Sequence, residues 1–182
     1  MLSITKGRPT LKKSILKGKE ILAVDDDSDV LAILDEELED YGVILDTATS
    51  YEEAMEKLAS LTYDLAILDI MGVRGFDLLE VAVGRSIPVV ILTAHSMDVA
   101  SLKKSIELGA RAYLPKHQLG DMAPFLEDVL LLSYRTAWKK MFQRLSGYFG
   151  QTFGPDWRKS EEDFWKKFDE NLGLDESTII EK

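Results

Sequence analysis

The chain has 182 residues, a formal net charge of −10 and 46% hydrophobic content, enough for one cored domain plus an appendage. It contains no cysteine and only two histidines, which excludes disulfides and Cys-ligated metals and argues against a zinc site. No apolar run approaches the roughly 18 residues that span a bilayer, and the basic N-terminus lacks the apolar stretch of a signal peptide, so a soluble cytoplasmic protein is expected.

The charge is uneven. Residues 1–20 carry six Lys/Arg against one acid, residues 21–128 seven against 22, and residues 129–182 nine against nine. Residues 1–19 read as a basic, flexible leader. The acidic middle argues against a nucleic-acid face, because phosphates would be repelled.

Beyond the leader, five apolar runs of strand length recur: 20–25 (EILAVD), 43–48 (VILDTA), 64–69 (DLAILD), 87–94 (IPVVILTA) and 111–116 (RAYLPK). Each ends in a polar residue or leads into one, and three are nearly continuous in apolar character, as in strands covered on both faces. Helical patterns lie between them. Residues 28–41 place Val30, Ile33, Leu34 and Leu38 on one stripe. Residues 51–61 repeat this with Ala54, Met55, Leu58 and Leu61, behind Ser50 as N-cap and Glu53 as its capping-box partner. Residues 75–83 and 97–108 follow, the latter stopped by Gly109. Such alternation predicts an α/β fold, a doubly wound parallel sheet of five strands.

In such sheets ligands sit beyond the carboxyl ends of the strands. The polar residues there are Asp25 and Asp26, with Asp27 just beyond, then Asp69, Thr93 and Lys116. Strand order 2-1-3-4-5 would bring these carboxylates into one pocket. Two carboxylates about 4 Å apart repel by roughly 4 kcal/mol at an effective dielectric near 20, so the cluster needs an offset. A hard divalent cation such as Mg²⁺, which takes oxygen ligands, supplies one. Lys116 is a mobile charge suited to a phosphoryl group, Thr93 is a hydroxyl donor, and an aspartate facing the pocket can act as nucleophile. Taken alone, Asp25–Asp27 also fits a solvated turn that caps the first helix, Lys116 a surface residue, and Thr93 a locally bonded hydroxyl.

The stretches ILAVDDDSD, DLAILDI, VVILTAHS and GARAYLPK together resemble the receiver domain of two-component response regulators. The spacings from Asp26 to Asp69 (43), Asp69 to Thr93 (24) and Thr93 to Lys116 (23) fit that family. The resemblance covers residues 20–130 and implies a flavodoxin-like sheet. By that resemblance Asp69 accepts a phosphoryl group from a histidine kinase or phosphotransfer protein, with Mg²⁺ held by Asp25, Asp26, Asp69 and the Met71 backbone carbonyl. Lys116 would contact the phosphoryl group. Thr93 would turn toward it, and Tyr113 would switch rotamer with Thr93. The resemblance implies that Met71 and His95 stand at the positions that tune self-dephosphorylation in that family. The protein would be no enzyme in the ordinary sense, but a phosphoacceptor that catalyses its own phosphotransfer and slow dephosphorylation. Two departures stand out: DIMGVRGFD lacks the usual proline and brings its glycine, Gly75, two residues early, and Lys116-His117 replaces the usual Lys-Pro. Neither removes a charged pocket residue.

Residues 131–182 read as a helical extension: a continuation of a fifth helix that starts near Asp121 or Met122, then a short second helix. Leu131, Tyr134, Trp138, Met141, Leu145 and Tyr148 are spaced 3, 4, 3, 4, 3. Gly147 and GQTFGPDW are expected to break this helix, Ser160 with Asp163 resembles a capping box opening the next, and Gly173 is its expected stop. All three Trp lie in this tail, which marks it as folded. It either packs back on its own domain or, with the face of the fourth and fifth helices, forms a homodimer or meets a protein partner. Two further readings stay open for the whole: a phosphorylation-independent binding or scaffold protein, and a metal-dependent phosphatase, against which Met71 counts because that chemistry wants a second carboxylate there.

Overall fold

In the computed structural model of the protein, residues 13–93 and 98–173 are described. The five apolar runs form strands β1 (Glu20–Val24), β2 (Ile44–Ala48), β3 (Leu65–Asp69), β4 (Val89–Thr93) and β5 (Ala112–Pro115). They make one parallel sheet in the order β2-β1-β3-β4-β5. This is the flavodoxin-like doubly wound arrangement, with helices α1 (Ser28–Glu39), α2 (Tyr51–Ser60), α3 (Gly75–Gly84), α4 (Val99–Glu107) and α5 (Met122–Leu131) as crossovers and flanks. Every residue of β3 and β4 is buried, which is why their sequences run apolar without alternation. Ser50 caps α2 by accepting from the Glu53 amide, while Glu53 Oε2 accepts from the Thr49 amide. The stripe of α1 is rotated from the expected one: Leu31 is buried and Ile33 is 44% exposed.

Edge strand β2 carries Asp46 at its centre, held by the ammonium of Lys57 and the hydroxyl of Tyr63. Residues 14–19, expected to be the end of a flexible leader, are tied down instead. Leu16 is fully buried, Ser14 Oγ donates to Glu127 of α5 at 2.5 Å, and Lys19 pairs with Asp64 at 2.7 Å. One apolar side chain and two polar anchors outweigh the local positive charge. Residues 1–12 lie outside the described residues.

The expected continuous fifth helix is two helices. After α5 ends at Leu131, Ser133 adopts extended backbone (φ −61°, ψ 158°) and its hydroxyl accepts from the Thr136 amide, starting α6 (Tyr134–Phe153). The cause is partly remote: the Arg111 guanidinium donates to the carbonyls of Val129, at 3.0 Å, and Leu132, taking up the end of α5. Gly147 does not break α6, which runs on to Phe153 and ends at Gly154. The second tail helix, α7 (Glu162–Leu172), starts without the expected capping box, since Ser160 Oγ donates to the Trp157 carbonyl; it does end at Gly173, in left-handed conformation.

The tail packs on its own domain. The Trp138 indole donates to the Ala110 carbonyl at 3.1 Å, Lys140 of α6 pairs with Asp128 of α5 at 2.7 Å, and Glu161 pairs with Lys103 of α4 at 2.7 Å. The face of α4 and α5 expected to receive a partner is thus taken by the tail of the same chain. Its buried stripe is Trp138, Met141, Phe142, Leu145 and Phe149, so Phe149 rather than Tyr148 completes the seam, and Leu131 is 66% exposed.

Candidate functional site

Register brings the strand-end side chains together. Val24 pairs with Leu68, so Asp25 stands level with Asp69; Asp69 pairs with Leu92 and Thr93 with Pro115, so Thr93 and Lys116 follow one step further along. The Lys116 ammonium lies 2.8 Å from Asp25 Oδ2 and 3.1 Å from Asp69 Oδ2. Asp25 is fully buried, Asp69 3% exposed and Thr93 1% exposed, while Asp26 lies open to solvent.

Burial pushes the Asp25 carboxyl up, against hydrogen bonds from Lys116 and the Asp27 amide, with the charge of Asp69 adding to the rise. Burial alone would lower the Lys116 ammonium, but its hydrogen bond to Asp25 and the charges of Asp69 and Asp25 outweigh that and hold it above its ordinary value. The three adjacent aspartates divide their tasks. Asp27 caps α1 by accepting from the Asp29 amide at 2.9 Å, so the capping-turn reading holds for Asp27 alone.

Asp25, Asp26 and Asp69 each offer a carboxylate oxygen within 4.8 Å of the others. Neighbouring ligand atoms around Mg²⁺ stand about 3 Å apart and opposite ones about 4 Å, so small rotations would let this all-oxygen set hold such a cation. The loop beyond Asp69 is fitted to the set in a way the sequence reading missed. A Cβ on Gly72 would lie 2.0 Å from Asp26 Oδ1, and one on Gly75 2.2 Å from the Asp69 carbonyl. Two glycines therefore let a shortened loop double back on β3. Between them Arg74 takes left-handed backbone (φ 51°), its guanidinium over the Tyr51 ring at 4.1 Å and bonded to Asp77. The paired Gly72 and Gly75 were the available signal. The Met71 amide donates to Asp69 Oδ1 at 3.2 Å, and its side chain is exposed.

Tyr113 of β5 is fully buried. Burial pushes its phenol up, and the neighbouring Thr93 side chain pulls the other way. Its ring packs on Phe149 of α6, centroids 5.9 Å apart. No peptide bond among the described residues is cis, so Lys116-His117 is trans. His117 is exposed, in a 3-10 turn over Lys116–Asp121, and its ring meets Tyr148 of α6 at 5.2 Å. His95 lies outside the described residues.

Residues 21–123 match the response regulator receiver domain family. The chain belongs to that family. Among curated proteins, the DNA-binding transcriptional regulator NtrC of Escherichia coli (strain K12) is 37% identical over 100 residues, covering 53% of this chain and 21% of NtrC. The probable transcriptional regulatory protein SilR of Salmonella typhimurium is 36% identical over 125 residues, covering 64% of this chain and 50% of SilR. The chain thus spans at most half the length of these two relatives. Among solved structures, the CheY-like response regulator receiver domain protein of Methanospirillum hungatei JF-1 aligns with a TM-score of 0.58 at 27% identity, covering 63% of this chain and 94% of that one. The receiver domain of NtrX from Brucella abortus gives 0.56 at 28%, covering 62% and 99%. Helices α6 and α7 of this receiver protein lie beyond the family-matched residues. No helix among the described residues is long and apolar enough to cross a membrane.

Proposed function

We propose that this receiver domain takes a phosphoryl group onto Asp69 from the phosphohistidine of a histidine kinase or phosphotransfer protein, and signals by protein–protein contact through its own surface and tail. The observation that carries this is the Lys116 ammonium set between Asp25 and Asp69, inside a three-carboxylate cluster at the strand ends. An Asp69 oxygen attacks phosphorus, the P–N bond breaks as the P–O bond forms, and the imidazole leaves with a proton from solvent. Asp25, Asp26, Asp69 and the Met71 carbonyl would hold Mg²⁺, which when bound neutralises charge on the transferring oxygens. Lys116, already beside Asp69, gives a second cationic contact for the phosphoryl oxygens. Thr93 turns its hydroxyl toward them and Tyr113 follows. The balance of 22 acids to seven bases over residues 21–128 favours a protein over a nucleic acid as the partner of this domain.

With Mg²⁺ and acetyl phosphate, the protein should gain the mass of one phosphoryl group in a bond that acid and base both cleave. Asp69→Asn should stay unlabelled; equal labelling of that variant overturns the assignment. A second reading, constitutive binding without phosphorylation, draws on the shortened loop after Asp69. It predicts no uptake of Mg²⁺ at millimolar concentration by calorimetry.

A further inference from the structure

The tail grips one strand of the sheet, the strand that delivers Lys116. Ahead of β5, the Ala110 carbonyl accepts from the Trp138 indole at 3.1 Å. Within β5, Tyr113 packs under Phe149; just after it, the ring of His117, the residue following Lys116, meets Tyr148. Trp138, Phe149 and Tyr113 are each at most 1% exposed, so the Tyr113 ring has no path to solvent while α6 is in place. Tyr113 pairs in register with Ile91 of the neighbouring strand, which puts Thr93, two residues further along the same face and buried at the pocket, beside it. A continuous packed path therefore runs from Phe149 through Tyr113 to Thr93. A parallel one runs from Tyr148 through His117 to the backbone that carries Lys116.

The hairpin has its own anchorage away from this path. Lys103 of α4 pairs with Glu161 at 2.7 Å and its ammonium lies 5.1 Å from the Phe164 ring centre, while Arg144 lies over Phe125 of α5. It also has its own core. Trp138, Phe142, Trp165 and Phe168 form edge-on and tilted pairs 5.6–6.3 Å apart, and Phe149 joins through Phe142 at 5.3 Å. A body braced in this way packs on the Tyr113 ring and holds it in its buried position. Two ligands that select the same state of one element assist each other, by the same factor in each direction.

We propose that the α6–α7 hairpin is a resident effector of the acidic pocket: by keeping Tyr113 inward against Thr93 it favours the arrangement that accepts the phosphoryl group, and a phosphoryl ligand tightens the hairpin in return. This rests on the phosphoacceptor reading of Asp69. The face of α4, β5 and α5 is then not an open docking surface that phosphorylation exposes. It is an internal interface that phosphorylation consolidates.

The test uses the full chain with Mg²⁺ and beryllofluoride, an analogue of the phosphoryl group, and follows bound fluoride by fluorine NMR. Phe149→Ala, which removes the ring over Tyr113, should weaken beryllofluoride binding about tenfold, inside the usual range for coupled sites. In the unaltered protein, beryllofluoride should slow hydrogen exchange of the α6 and α7 amides, a readout that needs no variant to fold. Equal affinity in a folded Phe149→Ala protein overturns the proposal, as does exchange in α6 and α7 that the ligand leaves unchanged. If the unaltered protein takes up no beryllofluoride at all, the phosphoacceptor reading falls and this proposal with it. Normal uptake with an insensitive hairpin removes the proposal alone.

Discussion

The acidic pocket and the α6–α7 hairpin are built on opposite principles. The pocket uses single side chains from β3, β4 and the ends of β1 and β5, each fixed by strand register, and no other described side chain repeats the role of Lys116 between Asp25 and Asp69. The hairpin uses many interchangeable aromatic contacts. Phe142 alone pairs with Trp138, Phe149, Trp165 and Phe168. A pocket of the first kind is lost by one substitution in its chemistry, with modest damage to the fold. A body of the second kind loses stability in steps and keeps its shape until an anchor goes.

The sharpest way to break this comparison is at the anchor. Trp138→Ala should cost about 3–5 kcal/mol in urea unfolding, since the ring is fully buried and its indole holds Ala110. A cost below 1 kcal/mol would mean that the hairpin is not part of the cooperative fold. Next comes Lys116→Met. It leaves the buried Asp25 carboxylate without its ammonium, at a cost of about 3 kcal/mol near pH 8. Burial already holds the Asp25 carboxyl above its ordinary value with Lys116 present, and removal of the lysine raises it further. A raised carboxyl is neutral at low pH, and it destabilises the fold only as rising pH ionises it. The penalty should therefore shrink between pH 8 and pH 5 in chelated buffer, and a penalty independent of pH would show that the ion pair is not its source. The smallest effect concerns the loop. Gly72→Ala should weaken Mg²⁺ binding about tenfold by calorimetry, because its methyl displaces the Asp26 carboxylate, while stability falls by only about 1 kcal/mol.

The same contrast explains what could be read from the sequence. All five strands lay where the apolar runs placed them, most plainly β3 and β4, because a strand buried on both faces writes its burial into every residue. The pocket residues were legible because strand ends are fixed once strand order is known. The tail was harder. Its 3–4 spacing is identical whether the stripe covers its own domain or another chain, so the sequence left that open. The break between α5 and α6 depends on Arg111, about twenty residues away from the carbonyls it takes, and on a serine cap with no glycine or proline beside it. Gly147 misled in the other direction, since a helix held by the buried side chains of Phe142, Leu145 and Phe149 tolerates a glycine that costs about 1 kcal/mol. The close approach of Gly72 to Asp26 joins distant segments, so the paired glycines signalled a tight loop without naming what it would approach.

The two rims of the sheet are also unequal. Along β5 the ladder runs beside α6, whereas β2 has hydrogen-bonded strand neighbours on one side only among the described residues. In the middle of that bare ladder stands Asp46, its carboxylate committed to Lys57 and Tyr63. A charged pair at the centre of an edge strand is one of the devices that disfavour pairing with a strand of another molecule.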